Sequence, residues 1–282
     1  MRVIDGKAHA EHSNKLLKSM MQDKVKGRSL KLVIVSVGEN SASKVYMRNK
    51  AKACEEVGIE CELVHFNNGI KQSALVEEIK YQNIRGDVDG IIVQLPLPEG
   101  YSTEYIINQI TPQKDVDCLT EVNLGKLFNV NFFTRMPCTP NAVLDLLWEN
   151  NIPVTGKHVV ILGRSNLVGK PLATIMSSRF VDATVTLCHS RTENLADICR
   201  TADILISAVG KPRLVTADMV KPGAVVIDVA INRGEDGKLC GDVDFENVAP
   251  LTSAITPVPG GVGPVTVSCL LWNTYNAYLA RR

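Results

Sequence analysis

The chain has 282 residues, 45% of them apolar, and its 31 basic and 30 acidic side chains leave a formal charge of +1. At roughly 100–200 residues per domain this length suggests two domains, with ample chain for a buried core. The charges are balanced and intermixed, which excludes any global electrostatic reason to expect nucleic acid or an anionic membrane surface and leaves small molecules as partners.

The eight cysteines are scattered among apolar neighbours with no Cys-x-x-Cys pair, a pattern that suits reduced thiols in a cytoplasmic protein. Residues 1–5 carry acid almost at once and run into the polar "GKAHAEHSNK", so no apolar core of a secretory signal is expected. No run approaches membrane-spanning length. His9 and His12 have a helical i, i+3 spacing but no carboxylate or cysteine partners in the pattern, so they read as part of a solvated helix and no metal site is expected.

In chain order, residues 30–38 ("LKLVIVSVG"), 61–66 ("CELVHF") and 89–98 ("DGIIVQLPLP") read as strands, with helices over 41–57 and 73–81 between them. These runs are apolar throughout rather than alternately, which predicts strands buried on both faces of a parallel sheet flanked by helices. Within the first helix, "SKVYMRNKAKACEEVG" gives a stripe of Val45, Tyr46, Asn49, Lys50, Ala53, Cys54 and Val57, opposite a solvated face of Lys44, Arg48, Lys52 and Glu55. Lys50 thus falls on the buried side. Either its methylene stem lies along apolar surface with the ammonium in water, or it lines a cleft, where burial favours the neutral form and makes a usable acid or base.

A second series starts after the helix "NAVLDLLWENN": "HVVILG", a helix through "PLATIMSSRF", "ATVTLCH", a helix through "ENLADICRTA", "DILISAVG", "AVVIDVAIN" and a short last strand in "SAITPVP". This is a mononucleotide-binding βαβαβ pattern with its own sheet. The final "VTVSCLLWNTYNAYLARR" reads as a long amphipathic helix returning to the first unit. The expected fold is α/β, two α/β domains with a cleft between them, the second a Rossmann-like parallel sheet. Residues 1–120 with the helix over 264–282 would form the first domain, and 121–263 the second.

The strand "HVVIL" runs into "GRSNLVGKP", residues 163–171, a glycine-rich turn that opens a helix and can aim N–H groups at a pyrophosphate. It departs from the G-x-G-x-x-G pattern, because Ser165 stands at the second glycine position and Val168 at the third. A turn without a ligand remains the alternative. At the end of the next strand a site for NAD places an acid, whereas here stand His189, Ser190 and Arg191, with Arg164 in the preceding loop. Such cations and donors suit a 2′-phosphate, so the expected cofactor is NADP.

Taken together, "VGENSASKVYMRNKAKACEEVGI", "VDGIIVQLPLP", "PQKDVDCLTEVNLGKL", "PCTPNAVLDLL", "GRSNLVGKPLA", "VTLCHSRT", "ADILISAVG", "KLCGDVDF" and "TPVPGGVGPVTVSCLLWNT" resemble, in order and over essentially the whole chain, the bifunctional methylenetetrahydrofolate dehydrogenase/cyclohydrolase family. The resemblance implies that Tyr46 lies against the folate ring system, that Lys50 is the catalytic lysine of the cyclohydrolase step with Gln94 bonded to it, and that Asp117 grips the pterin. It implies substrate contact also for Leu95 and for Pro259, Gly260 and Gly261, and NADP contact for Gly163, Arg164, Ser165, Val168, Gly169, His189, Ser190, Arg191, Ala208, Val209, Gly210 and Ile231. A first domain that binds folate and carries the catalysis, a cytoplasmic homodimer and a place in one-carbon metabolism supplying purine biosynthesis follow from the same resemblance. The chain departs from the family at Cys118, Ala230 and Val265, where glycine, glycine and methionine are usual. Of these Cys118 matters most, since a cysteine at positive φ is strained by about 1 kcal/mol.

The implied chemistry agrees with the residue types. A pterin presents an amino group and a ring N–H side by side, which a carboxylate such as Asp117 matches in a fork, although a loop or cap aspartate is the plain alternative. Hydride loss from the one-carbon bridge needs positioning rather than a base. Hydrolysis of the methenyl cation needs proton movement, which assigns Lys50 to the cleft, with Gln94 accepting from its ammonium or donating to a neutral amine. Lys7, Lys44 and Arg48 are candidates for a polyglutamate tail. A formyltetrahydrofolate synthetase is expected to be a separate protein. Short-chain dehydrogenases also use Tyr-x-x-x-Lys, but their nucleotide loop precedes the tyrosine, whereas "GRSNLVG" follows Tyr46. A monofunctional dehydrogenase and a non-enzymatic NADP-binding regulator are the remaining alternatives.

Overall fold

The computed structural model describes residues 1–38, 41–131, 134–234 and 237–281, with the side chains of 41–44 outside that set. Among these residues the strands are, in chain order, β1 (Arg2–Val3), β2 (Lys31–Val37), β3 (Glu60–Phe66), β4 (Gly90–Val93), β5 (His158–Leu162), β6 (Thr184–Cys188), β7 (Ile204–Ser207), β8 (Val225–Asp228), β9 (Asn232–Arg233), β10 (Leu239–Cys240) and β11 (Ala254–Ile255). The chain divides into two compact units: one of Met1–Glu11 with Lys126–Thr266, the other of His12–Gly125 with Val267–Arg282. No helix among the described residues is long and apolar enough to cross a membrane.

In the unit of His12–Gly125, a three-stranded parallel sheet has the order β3-β2-β4, with β2 registered Lys31↔Glu60 on one side and Leu32↔Gly90 on the other. β2 and β4 are buried almost throughout, as continuous apolar runs require. β3 departs from the expectation of two-sided burial, because as the edge strand it alternates between exposed and half-buried residues. The strand expected over 89–98 ends at Val93, since the prolines of "LPLP" cannot donate to a ladder. Helices Ser41–Val57 and Gln72–Ile84 follow β2 and β3. In the first, Met47, Cys54 and Val57 are buried while Val45 and Asn49 are exposed. The apolar stripe therefore lies one position over from the expected one, and Tyr46 and Lys50 stand half-buried on its shoulder.

The charged centre of this unit is Asp89, fully buried at the start of β4. Arg28 donates to its two oxygens at 2.6 and 2.8 Å, the Lys31 N–H adds a bond at 2.9 Å, and the Arg281 guanidinium pairs with it as well. A buried carboxylate is tolerated only with such partners.

The other unit holds a six-stranded parallel sheet in the order β1-β11-β8-β7-β5-β6. Read from its first strand in this segment, the order 2-1-3-4-5 is that of a doubly wound sheet, whose direction reverses between β5 and β7. β1 extends it at the edge, with Arg2 N–H donating to Ser253 O at 2.9 Å and Ile4 N–H to Ile255 O at 2.8 Å. Residues 1–11 consequently sit with this sheet and not with residues 12–120 as the sequence reading placed them; a two-residue strand carries no periodicity to reveal that. His9 is likewise not a solvated side chain, because its Nε2 lies 3.1 Å from the Asp145 carboxylate on helix Cys138–Glu149. The run "AVVIDVAIN" stops as a sheet strand at Asp228, and its end turns into the antiparallel pair β9 and β10.

Asp228 closes β8. Its carboxylate accepts the N–H groups of Asp242 and Val243 at 3.0 and 2.8 Å, and Gly241 approaches so closely that a Cβ there would sit 1.8 Å from Oδ2. Burial pushes its carboxyl up to about 7, against the pull of these N–H groups.

Two outcomes follow from these carboxylates. Asp89→Ala is expected to cost about 3 kcal/mol, the lower end for a broken buried pair because Arg28 and Arg281 regain water, read as a lower urea midpoint. Between pH 4 and 7 the folded chain keeps on Asp228 a proton that the unfolded chain has lost, so this group's contribution falls as pH rises through that window. The decline of unfolding free energy from pH 4 to 7 is expected to be shallower in Asp228→Asn than in the wild type, measured by urea titrations at fixed pH.

Candidate active site and nucleotide site

Lys50 stands midway along helix Ser41–Val57, and its ammonium donates to Gln94 Oε1 at 3.1 Å. Gln94 directly follows β4 and is held twice more, its main-chain N–H donating to Val35 O at 2.8 Å and its side-chain Nε2 to Leu95 O at 2.8 Å. In this arrangement Gln94 meets Lys50 with its oxygen, while its Nε2 gives one of its two hydrogens to Leu95. The pair survives either protonation state, since a neutral amine keeps N–H donors. Tyr46 lies one turn earlier on the helix, half-buried, with its phenol pushed above the ordinary range by burial.

Asp117 comes from a segment that runs beside β4. A parallel bridge joins Ile91 to Asp115, with Ile91 N–H donating to Lys114 O at 2.7 Å, so the chain travels toward the same strand end that carries Gln94. The two aspartates of "KDVD" then divide. Asp115 is buried and accepts from Leu119 N–H at 3.2 Å, Thr120 N–H at 2.9 Å, Thr120 Oγ1 at 2.8 Å and Asn123 Nδ2 at 2.8 Å, which shapes the turn. Asp117 is half-buried on that turn. Lys114 is a third fixed point, donating to the carbonyls of Gln82 and Arg85 at 3.1 and 2.6 Å, with burial pushing its ammonium down to about 8.

Cys118 has φ +59°, the left-handed conformation that favours glycine. Its sulfur lies 3.7 Å from the Asp115 carbonyl and 3.7 Å from Asn273 Nδ2, and the same Asn273 amide reaches Val116 O at 2.9 Å. Here the side chain that strains the backbone also ties it down. Ala230 has no positive φ and is unstrained, and Val265 is fully buried in helix Val262–Leu279.

On the nucleotide side, Gly163 follows β5 at φ +105°, and a Cβ there would sit 2.4 Å from the Ala208 carbonyl oxygen after β7. Gly169 opens helix Gly169–Met176, and a Cβ there would sit 1.9 Å from Gly163 O. The close-packing task of the third fingerprint glycine therefore falls to Gly169, one residue beyond Val168. Ser165 accepts the Val168 N–H at 3.1 Å, so its hydroxyl shapes the turn, while Arg164 and Ser165 themselves are exposed. After β6, His189 Nδ1 accepts the Arg191 N–H at 3.2 Å and the His189 N–H donates to Thr192 Oγ1 at 2.9 Å, leaving Ser190 and Arg191 exposed at the tip. Backbone this close at Gly163, Gly169 and Ala208, with exposed cations on the two adjoining strand ends, fits a phosphorylated dinucleotide.

Val209, Gly210 and Ile231 are exposed, and the first two are fastened from behind by Asp242, which accepts Val209 N–H at 2.7 Å, Gly210 N–H at 3.1 Å and Ser207 Oγ at 2.8 Å. Neither Asp242 nor Asp115 stood out in the sequence. Their partners are main-chain N–H groups and Ser, Thr and Asn side chains, brought together only by the fold. Farther along, a Cβ on Gly6 would lie 1.9 Å from Gly261 O, and Lys7 N–H donates to Gly260 O at 3.1 Å, so the N-terminal turn forms the floor of "PVPGGVG". Pro259 is exposed and Gly260 half-buried on that segment. Lys7 and Arg48 are exposed; the side chain of Lys44 lies outside the described residues.

Residues 4–117 match the family model for the tetrahydrofolate dehydrogenase/cyclohydrolase catalytic domain, and residues 137–282 match that for the tetrahydrofolate dehydrogenase/cyclohydrolase NAD(P)-binding domain. The bifunctional protein FolD of Bacillus cytotoxicus is 47% identical over 273 residues, covering 96% of this chain and 94% of that protein. Among solved structures, the FolD dehydrogenase/cyclohydrolase of Campylobacter jejuni superposes with a TM-score of 0.96 at 44% identity and full coverage of both chains. The Trypanosoma brucei enzyme, solved with NADP cofactor and an inhibitor, gives a TM-score of 0.93 at 39% identity, covering 99% of this chain and 97% of that one. With both domain models matched in order and relatives this similar over nearly the whole length, the chain belongs to the tetrahydrofolate dehydrogenase/cyclohydrolase family.

Proposed function

We propose that this chain oxidises 5,10-methylenetetrahydrofolate to the 5,10-methenyl cation with NADP and hydrolyses that cation to 10-formyltetrahydrofolate, with Lys50 as the proton carrier of the second step. The observation that carries the reading is the Lys50–Gln94 bond of 3.1 Å. An amine held in this way suits the proton movement that hydrolysis needs and that hydride loss does not.

NADP, when bound, supplies the hydride acceptor. Gly163, Gly169 and Ala208 provide the close backbone for its phosphates, and Arg191, Ser190, His189 and Arg164 the cations and donors for its 2′-phosphate. Oxidation asks no proton of the protein, because the nitrogens flanking the bridge carbon stabilise the cation, so Asp117 and Tyr46 act by holding the pterin. Hydrolysis does ask for one. Lys50 can receive a proton from the attacking water and return it to the departing ring nitrogen, the second water proton passing to solvent as the formyl C=O forms, while the bond to Gln94 is kept throughout. Leu95, Pro259, Gly260 and Gly261 complete the proposed folate contacts, Val209, Gly210 and Ile231 the proposed cofactor contacts. Residues 12–120 with the C-terminal helix serve as the folate-binding part of this scheme. None of the eight cysteines is joined in a disulfide, which supports a cytoplasmic location, and the family resemblance supports a homodimer.

Lys50→Met is expected to lower methenyl hydrolysis by about 10²–10⁴-fold while NADPH formation from methylenetetrahydrofolate continues. Both signals are followed in parallel by absorbance; a wild type that forms NADPH without accelerating methenyl decay would sink the bifunctional reading. Arg191→Ala is expected to lower kcat/KM for NADP roughly 10- to 100-fold, the worth of one charge-assisted bond, with little change for NAD. Steady-state kinetics with each nucleotide reads this, and a wild type that prefers NAD refutes the cofactor assignment.

A further inference from the structure

Asp242 is fully buried just beyond β10, and its charge is met by five donors. Val209 and Lys211 N–H donate at 2.7 Å each, Gly210 N–H at 3.1 Å, Ser207 Oγ at 2.8 Å and Asn232 Nδ2 at 3.0 Å. Three successive N–H groups closing on one anion form a nest, which the left-handed φ of +81° at Gly210 permits. The carboxylate is itself held in place, since Asp228 accepts the Asp242 N–H at 3.0 Å.

The segments gathered by this anion are the continuations of two sheet strands, 207–211 after β7 and 232 after β8. In a doubly wound sheet a dinucleotide lies across the reversal point at the carboxyl ends of the strands. The reversal lies between β5 and β7, with the phosphate turn after β5 and the 2′-phosphate candidates after β6. The nicotinamide half must then extend over the ends of β7 and β8, where both flanking segments converge on one side chain. We propose that Asp242 is a positioning residue for the nicotinamide half of the dinucleotide, an inference that rests on the nucleotide reading above and adds to it the group that sets the shape of the nicotinamide wall.

The test is isothermal titration of the full-length wild type, Asp242→Asn and Asn232→Ala with NADP and with 2′,5′-ADP, which carries the adenosine and 2′-phosphate but no nicotinamide. Asp242→Asn turns an amide toward donors that need an acceptor, and is expected to weaken NADP roughly tenfold or more while 2′,5′-ADP changes less than about threefold. Asn232→Ala removes one donor of the five and is expected to weaken NADP alone by about threefold. Should Asp242→Asn fail to fold, the same NADP-specific loss in Asn232→Ala decides. Equal weakening of both ligands would make Asp242 a prop of the whole unit and overturn the proposal, as would no weakening of either. A wild type that binds neither ligand would instead overturn the nucleotide reading beneath it.

Discussion

Burying a carboxylate away from water costs several kcal/mol unless donors surround it, and the chain accepts that cost at Asp89, Asp115, Asp228 and Asp242, each at most 3% exposed. Asp89 is satisfied largely by guanidinium groups; Asp228 collects main-chain N–H groups, and Asp115 and Asp242 collect main-chain N–H groups together with Ser, Thr and Asn side chains. A parallel sheet brings its strands out on one side but leaves the connecting backbone with unmet hydrogen bonds. Buried acids of this kind give those bonds a single address, and the loops take the shape of the anion they enclose. The candidate ligand-binding segments are therefore fixed from behind, by groups that need not touch the ligand.

This arrangement suits the two steps differently. Hydride transfer tolerates almost no freedom of approach, and its candidate segments are backbone held rigidly by Gly163, Gly169 and Asp242. Hydrolysis needs a group that changes protonation without changing place, and its candidate is a flexible lysine clamped by a glutamine whose own orientation is set by Leu95. The fold meets one demand with close approach and the other with a hydrogen bond indifferent to the proton count.

Much of this was legible in the residue order. The apolar runs announced both sheets, helix Ser41–Val57 has the bounds its periodicity predicts, and Lys50 was marked by standing against its stripe. The details that were misread share a cause. The edge position of β3, the attachment of β1 to β11 and the exchange of Met47 for Val45 in the buried stripe all depend on which neighbour an element meets, and local pattern carries no such information. Asp115 and Asp242 were missed for a related reason, since their partners are peptide N–H groups and small polar side chains that only the fold brings together. Cys118 was the opposite case. Its departure from glycine foretold the left-handed backbone at +59°, while the compensating contact with Asn273, far along the chain, could only be seen in the fold.

The nest around Asp242 has a chemical consequence for the surface it supports. In a trans peptide the carbonyl points opposite to the N–H, so drawing the N–H groups of Val209, Gly210 and Lys211 toward the carboxylate turns the carbonyls of Ala208, Val209 and Gly210 away from it. The Ala208 carbonyl is packed against Gly163, so the exposed Val209 and Gly210 leave two acceptors on the side away from the anion. A neutral amide can give its hydrogens to such a pair, whereas a carboxylate of the same shape would face the negative ends of two dipoles. One buried anion thus sets the polarity of a surface it never reaches.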